Sequence, residues 1–400
     1  MDKVILLLGI FSAFSMSNSH PASTKNGEKI IGCYYESLAI FRESKGQFGI
    51  PNINASLCTY VIYTFSGVLD NGVVEMSDAN LDSANNGFKR FEEFRKQNPS
   101  VKTLISMAGW TQGSVNYSQV VSDATLREKL VENLVNIVQK YKFNGFDLDW
   151  EYPAQRGGCP SDKKNFVLLL RELRHQFNKH GLILCVSVGA TEETAKISYD
   201  IKRVSKYAHI IHLMTFQFHA PYDNKPKIVG HNTPLYPSSK ENHKDRKLNV
   251  DYIVKYWIKK GATPEKILLG TSLSGNSYTL STPIKKLGRG ARFEGPGEAG
   301  KYTHEYGTLG YNEICDLINN DKWKVVYDKE QEVPYAYKGN QLVAYDNVES
   351  LTKKAQYIEK MNLGGAMMWS IDTDDFDGQC GEKYPLLTTV NRILRNKINF

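Results

Sequence analysis

Phe143-Asn144-Gly145-Phe146-Asp147-Leu148-Asp149-Trp150-Glu151-Tyr152-Pro153 places three acids at alternate positions. In a strand, successive side chains point to opposite faces. The carboxyls of Asp147, Asp149 and Glu151 then share one face, while Leu148 and Trp150 take the other. Tyr152-Pro153 ends the strand, because proline has no N–H to give a ladder. Carboxylates crowded on one buried face repel one another, and desolvation further disfavours their charged forms. The spacing therefore predicts a coupled set that keeps at least one proton near neutral pH. A carboxyl that keeps its proton at a strand's C-terminal end suits general-acid work. Phe143, Phe146, Leu148 and Trp150 make the segment core-like, which argues against a solvated acidic end or a calcium loop.

Around this stretch the chain has 400 residues, enough for one α/β barrel with an insertion or for two domains. Its hydrophobic content of 41% allows a large core. Fifty Lys and Arg against 43 Asp and Glu leave a net charge of +7, and no basic motif interleaves with aromatics. Nucleic acid is therefore not an expected partner. Residues 1–19 read as a signal peptide, with Lys3 as the positive start, an apolar run over 4–14, and small residues Ser17 and Ser19. The run is too short to span a bilayer, and no other stretch is long enough. An extracellular, secreted protein is the expectation. Export makes the six cysteines candidates for disulfides. Asn54-Ala55-Ser56 and Asn116-Tyr117-Ser118 are glycosylation sequons. No Cys or His spacing suits zinc, so neither a metal nor a cofactor is expected.

Apolar, β-rich runs alternate with helical patterns, which argues for a parallel sheet. Strands are expected over 29–35, 60–66, 103–108, 145–150, 182–188, 210–215, 267–270 and 365–370. Helices are expected over 87–97, 125–141, 161–180, 250–260, 348–361 and 386–397, with Ser161 as an N-cap. Eight strands with intervening helices fit a TIM barrel, whose active site lies at the C-terminal strand ends. The barrel takes residues 29–271 and 346–397. The rhythm breaks over 272–345, a stretch rich in Gly and Tyr. Within it, Tyr335–Tyr337, then Lys338-Gly339-Asn340, then Gln341–Tyr345 reads as a hairpin. The basic loop 285–292 is a candidate contact for an anionic glycan or a cell surface, with a solvated loop as the alternative.

The acidic stretch resembles the signature Phe-Asp-Gly-x-Asp-x-Asp-x-Glu of glycoside hydrolase family 18, the chitinases and chitinase-like proteins. Asn144 stands where that pattern usually has its first Asp. The resemblance runs from about Lys29 to Lys397 and implies an α/β TIM barrel, with a small α+β insertion after the seventh strand. It implies that Glu151 protonates the glycosidic oxygen and later acts as base. The substrate's own acetamido carbonyl is the nucleophile. Asp149 orients that group and Asp147 shares a proton with Asp149. Gly364-Gly365-Ala366-Met367-Met368-Trp369 resembles the closing motif, in which Trp369 forms the floor under the reacting sugar. Tyr34, Phe65, Trp110 and Met214 match pocket-lining positions. Cys33 with Cys58, and Cys315 with Cys380, match paired positions. Cys159 and Cys185 are left over, and Cys185 reads as a buried thiol.

The family's Met-x-Tyr-Asp appears here as Met214-Thr215-Phe216-Gln217. Phe216 lacks the hydroxyl that holds the acetamido carbonyl, and Gln217 replaces a carboxylate of the same charge network. Loss of one preorganised donor typically costs about 10²–10³ in rate. Ala108 replaces the first of two glycines, Leu38 a sugar-stacking Trp, and Ser274-Gly275-Asn276 the common Tyr-Gly-Arg. Two functions from different classes follow. One is a secreted, monomeric chitinase-like protein with impaired or absent hydrolysis. It would recognise a chitooligosaccharide or other glycan, or a cell-surface partner, in growth or immune response. The other is an active chitinase or N-acetylglucosaminidase with Glu151 as acid.

Overall fold

The computed structural model describes residues 28–75, 87–222, 227–283 and 291–395. The stretch 1–19, expected as a signal peptide, and residues 285–290 of the basic loop lie outside the described residues. Seven parallel strands come first: β1 (Ile30–Glu36), β2 (Tyr60–Val68), β3 (Lys102–Ala108), β4 (Gly145–Asp149), β5 (Ile183–Gly189), β6 (Ile210–Met214) and β7 (Ile267–Ser272). An antiparallel sheet intervenes: β8 (Ser274–Leu280), β9 (Phe293–Pro296), β10 (Thr308–Gly310), β11 (Lys324–Asp328), β12 (Val333–Lys338) and β13 (Gln341–Ala344). The eighth barrel strand is β14 (Gly365–Trp369). It pairs with both β7 and β1, and β1 pairs with β2, so the parallel sheet closes on itself. The TIM barrel is thereby established.

Closure sorts each strand's alternating residues into two cores. Ile30, Tyr34, Tyr60, Ile62, Leu104, Ile183, Cys185, Ile210, Leu268 and Met367 pack together inside the barrel. Their neighbours in sequence, such as Ile31, Cys33, Val61, Ile105 and Leu184, face outward into a larger core shared with the helices. Those helices are α1 (Gly87–Gln97), α2 (Val115–Ser122), α3 (Ala124–Lys140), α4 (Asp162–His180), α5 (Glu192–Ser198), α6 (Ile201–Tyr207) and α7 (Val250–Lys259). After α8 (Tyr311–Asn320) in the insertion come α9 (Val348–Lys360) and α10 (Pro385–Leu394).

Several expectations shift. The acidic strand stops at Asp149, one residue early, and Glu151 lies just beyond it. Helices α2, α5, α6 and α8 had no counterpart among the expected ones. Ser161 does not cap α4 with its side chain. Instead Asp162 turns back, and its carboxylate accepts the N–H groups of Ala154 and Cys159. Those amides precede the helix, so the acid ties the incoming loop to α4's first turn, while the Ser161 carbonyl accepts the N–H groups of Lys164 and Asn165.

The insertion sheet has the order β9-β8-β13-β12-β11, and β10 pairs with the N-terminal end of β8, residues 274–276. The expected hairpin is present between β12 and β13, and Gly339 takes φ +60° in its turn. Cys315 of α8 is bonded to Cys380 beyond β14, and Cys33 of β1 to Cys58. Cys185 is a buried free thiol and Cys159 a half-buried one.

Candidate active site

At β4 the alternation read from the sequence places Asp147 and Asp149 on the barrel's inner face, both buried. Leu148 and Trp150 face out. Trp150 stacks on Tyr117 at 5.1 Å, and its indole N–H donates to Ser114 Oγ at 2.9 Å. Asp147 lies deepest and is heavily bonded. Its Oδ2 accepts the Tyr34 hydroxyl and Ser106 Oγ, each at 2.7 Å. Ser187 Oγ reaches both oxygens at 3.2 Å, and His212 Nδ1 sits 3.1 Å from Oδ1. Burial pushes this carboxyl up, but His212, Ser106 and Tyr34 outweigh it and hold Asp147 below the ordinary range.

Asp149 has the opposite environment. It is 4% exposed, and its Oδ1 has no hydrogen-bond partner. Burial, then the charges of Glu151 and Asp147, push it well above the ordinary range. Glu151 is half-buried at the mouth and is pushed up to about 7 by burial, against a hydrogen bond from Tyr152 and the charge of Arg156. The set thus runs from a carboxyl held low inside, through one pushed up by burial, to a proton donor at the rim. It can deliver a proton to an oxygen bound above the strand.

The other expected site residues surround this axis. Trp369 is half-buried, its ring 5.2 Å from Tyr34 and edge-on to it. Met214 and Phe216 join Trp369 against the inner core. Tyr34 was expected as a lining aromatic, but it is a buried hydroxyl donor to Asp147. Phe65 lies on β2, with its side chain outside the described residues. Trp110 is 59% exposed, and the Arg156 guanidinium lies 3.5 Å from its ring centre. Arg156 also donates to the carbonyls of Trp110 and Glu151, at 2.6 and 2.9 Å.

Gln217 does not join the charge network. It is exposed, with φ +55°, and its N–H donates to Asn232 Oδ1 at 2.8 Å. Asp147's partners come from β1, β3, β5 and β6 instead. Ala108 has φ +101°, a conformation glycine adopts without strain and alanine does not. Leu38 is 55% exposed beyond β1. Ser274 bonds within its own turn, to Ser272 Oγ at 3.0 Å.

His212, Ser106, Ser187 and Tyr60 were missed. His212 Nε2 is 3.1 Å from the Tyr60 hydroxyl, which links the network to the barrel floor. Polar residues at inward positions of otherwise apolar strands were the available signal. A rim cluster was also missed. Arg42 pairs with Asp372 at 2.7 Å and Glu36 at 3.3 Å. Burial and the Asp372 charge push Glu36 up to about 7 against Arg42. Of the sequon residues, Asn54 is exposed, whereas Asn116 is half-buried and donates to Val68 O at 3.0 Å. Among the described residues the one set spaced for a metal is Cys315, Asp375 and Cys380, and its cysteines are bonded to each other.

A closed parallel barrel with an acid axis at its C-terminal mouth is the architecture of a glycosidase-type protein. The family model of glycosyl hydrolases family 18 matches residues 30–374, and the chain belongs to that family. It is 32% identical to Probable chitinase 2 of Drosophila melanogaster, over 97% of this chain and 85% of that one. A group IV chitinase of Ostrinia furnacalis, solved with allosamidin, superposes with TM-score 0.89 at 38% identity, covering 92% of this chain and 99% of that one. Human YKL-39, a pseudo-chitinase with retained chitooligosaccharide binding properties, gives 0.84 at 34%, covering 92% and 99%. No helix among the described residues is long and apolar enough to cross a membrane.

Proposed function

We propose that this protein binds chitooligosaccharides at the barrel mouth and hydrolyses them poorly or not at all. It would act by recognition, as a secreted monomer, in growth or immune response. Phe216 carries the reading. It packs against the inner core, as Trp369 does, at the position where the family places a tyrosine hydroxyl. An internal nucleophile is effective only when it is positioned, and a phenyl ring cannot hold a carbonyl oxygen. The reading is supported by exposed Leu38 in place of a stacking Trp, and by the binding that YKL-39 retains. Two disulfides suit an oxidising compartment, and exposed Asn54 is the more accessible glycan acceptor.

A second reading, an active chitinase, is favoured by the acid axis. Asp147, Asp149 and Glu151 are all present, and Glu151 titrates at about 7. Calorimetry and product analysis on N-acetylglucosamine oligomers separate the two. Binding with turnover far below about 1 per second supports recognition, and rates of 1–10³ per second support the enzyme. No binding at millimolar oligomer overturns both.

A further inference from the structure

The chain leaves β6 through Thr215, Phe216 and Gln217, and its path there is strained. Gln217 is not glycine, yet its φ is +55°. A left-handed conformation at such a residue persists only where its surroundings impose it. Upstream, Thr215 Oγ1 donates to Gly270 O of β7 at 2.7 Å. The Phe216 ring lies close against the same residue, since a Cβ built on Gly270 would come 3.0 Å from its Cε1. Downstream, Asn232 sets the path. It lies in the connection between β6 and α7 and is 2% exposed. Its Oδ1 accepts the Gln217 N–H at 2.8 Å, and its backbone carbonyl accepts the Phe218 N–H at 3.0 Å. Its Nδ2 donates to Ser274 O at 3.2 Å, where β8 begins the insertion sheet. Further bonds from β8 secure the following residue. Asn276 Nδ2 and the Tyr278 hydroxyl donate to His219 O at 2.7 and 2.6 Å.

We infer that Asn232 is a positioning residue of the barrel mouth, holding Gln217 in its left-handed conformation and so fixing the Phe216 ring against the inner core while Gln217 faces solvent. The ligand this serves is the chitooligosaccharide of the recognition reading, on which the inference rests. A carboxamide carries an acceptor and a donor on one fork, so a single buried side chain serves two backbone groups. Removing it leaves the Gln217 N–H without its acceptor and the strained turn without its restraint. Through Nδ2 the same side chain ties the turn to β8, 42 residues further along the chain. The insertion therefore helps to set where the wall of the ligand pocket stands. A wall fixed before the ligand arrives leaves less ordering to be done on binding.

The test uses the whole protein, with calorimetry on the N-acetylglucosamine tetramer and hydrogen exchange of the ligand-free chain. Asn232→Ala should weaken tetramer binding at least about fivefold and speed exchange of the Gln217 amide at least about tenfold. Exchange in β1 to β5 should stay unchanged, which shows that the variant is folded. Adding Gln217→Gly should return most of the lost affinity, because glycine takes this φ without strain. That rescue separates positioning from general stability, since a fold weakened by a lost buried amide is not repaired by a glycine at an exposed position. Affinity unchanged in Asn232→Ala, or a loss that Gln217→Gly does not recover, overturns the inference. If the wild type itself does not bind the tetramer, the recognition reading fails, and exchange alone decides the role of Asn232. Faster exchange at Gln217 in Asn232→Ala then upholds it, and unchanged exchange overturns it.

Discussion

Phe216 and Glu151 sit at the same barrel mouth with opposite implications for turnover, and they can be separated by substitution. If only acetamido positioning is lost, Phe216→Tyr with Gln217→Asp should raise oligosaccharide hydrolysis at saturating substrate by at least about tenfold. Adding Glu151→Gln should remove the gain, since an amide has no acidic proton to give. A repaired variant that binds but stays inactive would place the defect elsewhere, at Ala108 or Asn144. Because Gln217 is exposed, Phe216→Tyr alone should account for most of the gain. The acid form of Glu151 is the working one. Hydrolysis by the repaired variant should therefore fall as pH rises through about 7, measured as the basic limb of kcat. A limb below pH 5 would contradict this environment. The three acids were legible because period 2 is a local property. The unpaired state of Asp149 Oδ1 was not, because it depends on which strands stop short of it.

Among the elements, α8 is tied to the barrel by the bond from Cys315 to Cys380, across 65 residues. In the chain-entropy model a loop of that length is worth about 4 kcal/mol. Replacing both cysteines by serine should lower unfolding stability by about 2–5 kcal/mol in denaturant titrations. A loss below about 1 kcal/mol would mean that the sheet and α8 hold the insertion unaided. The two family-matched pairings were carried by resemblance, since spacing alone leaves connectivity open. Helices α5 and α6 escaped notice because each is only seven residues, too short for an apolar stripe to repeat. Thr191 and Asp200 cap them through side-chain oxygens, a signal present in the sequence but weak without tertiary context. In α2, Val115, Val120 and Val121 disfavour helix locally, and packing overrides that preference.

For the whole molecule, three carboxyls titrate near 7 in the folded chain: Glu36, Glu151 and Asp374. Burial is the main cause in each. Asp374 is fully buried and accepts N–H groups from Leu386 and Leu387 at the start of α10. Raised values mean that the folded chain holds these protons more tightly than the unfolded one. Their stabilising contribution is full below the ordinary carboxyl range and is lost as pH rises through about 7. The thermal midpoint should therefore be lower at pH 8 than at pH 5, and Glu36→Gln should narrow that gap. Equal midpoints would contradict the buried environments. By itself the sequence determined the barrel, because alternating apolar runs and helical periods are written within each element. It also determined that the acids share a face. Only tertiary structure decided how each acid is charged. Asp147 takes its partners from 113, 41, 40 and 65 residues away. Barrel closure brings Tyr34, Ser106, Ser187 and His212 around one carboxylate and leaves Asp149, two residues on, with a bare oxygen and a harder charge to hold.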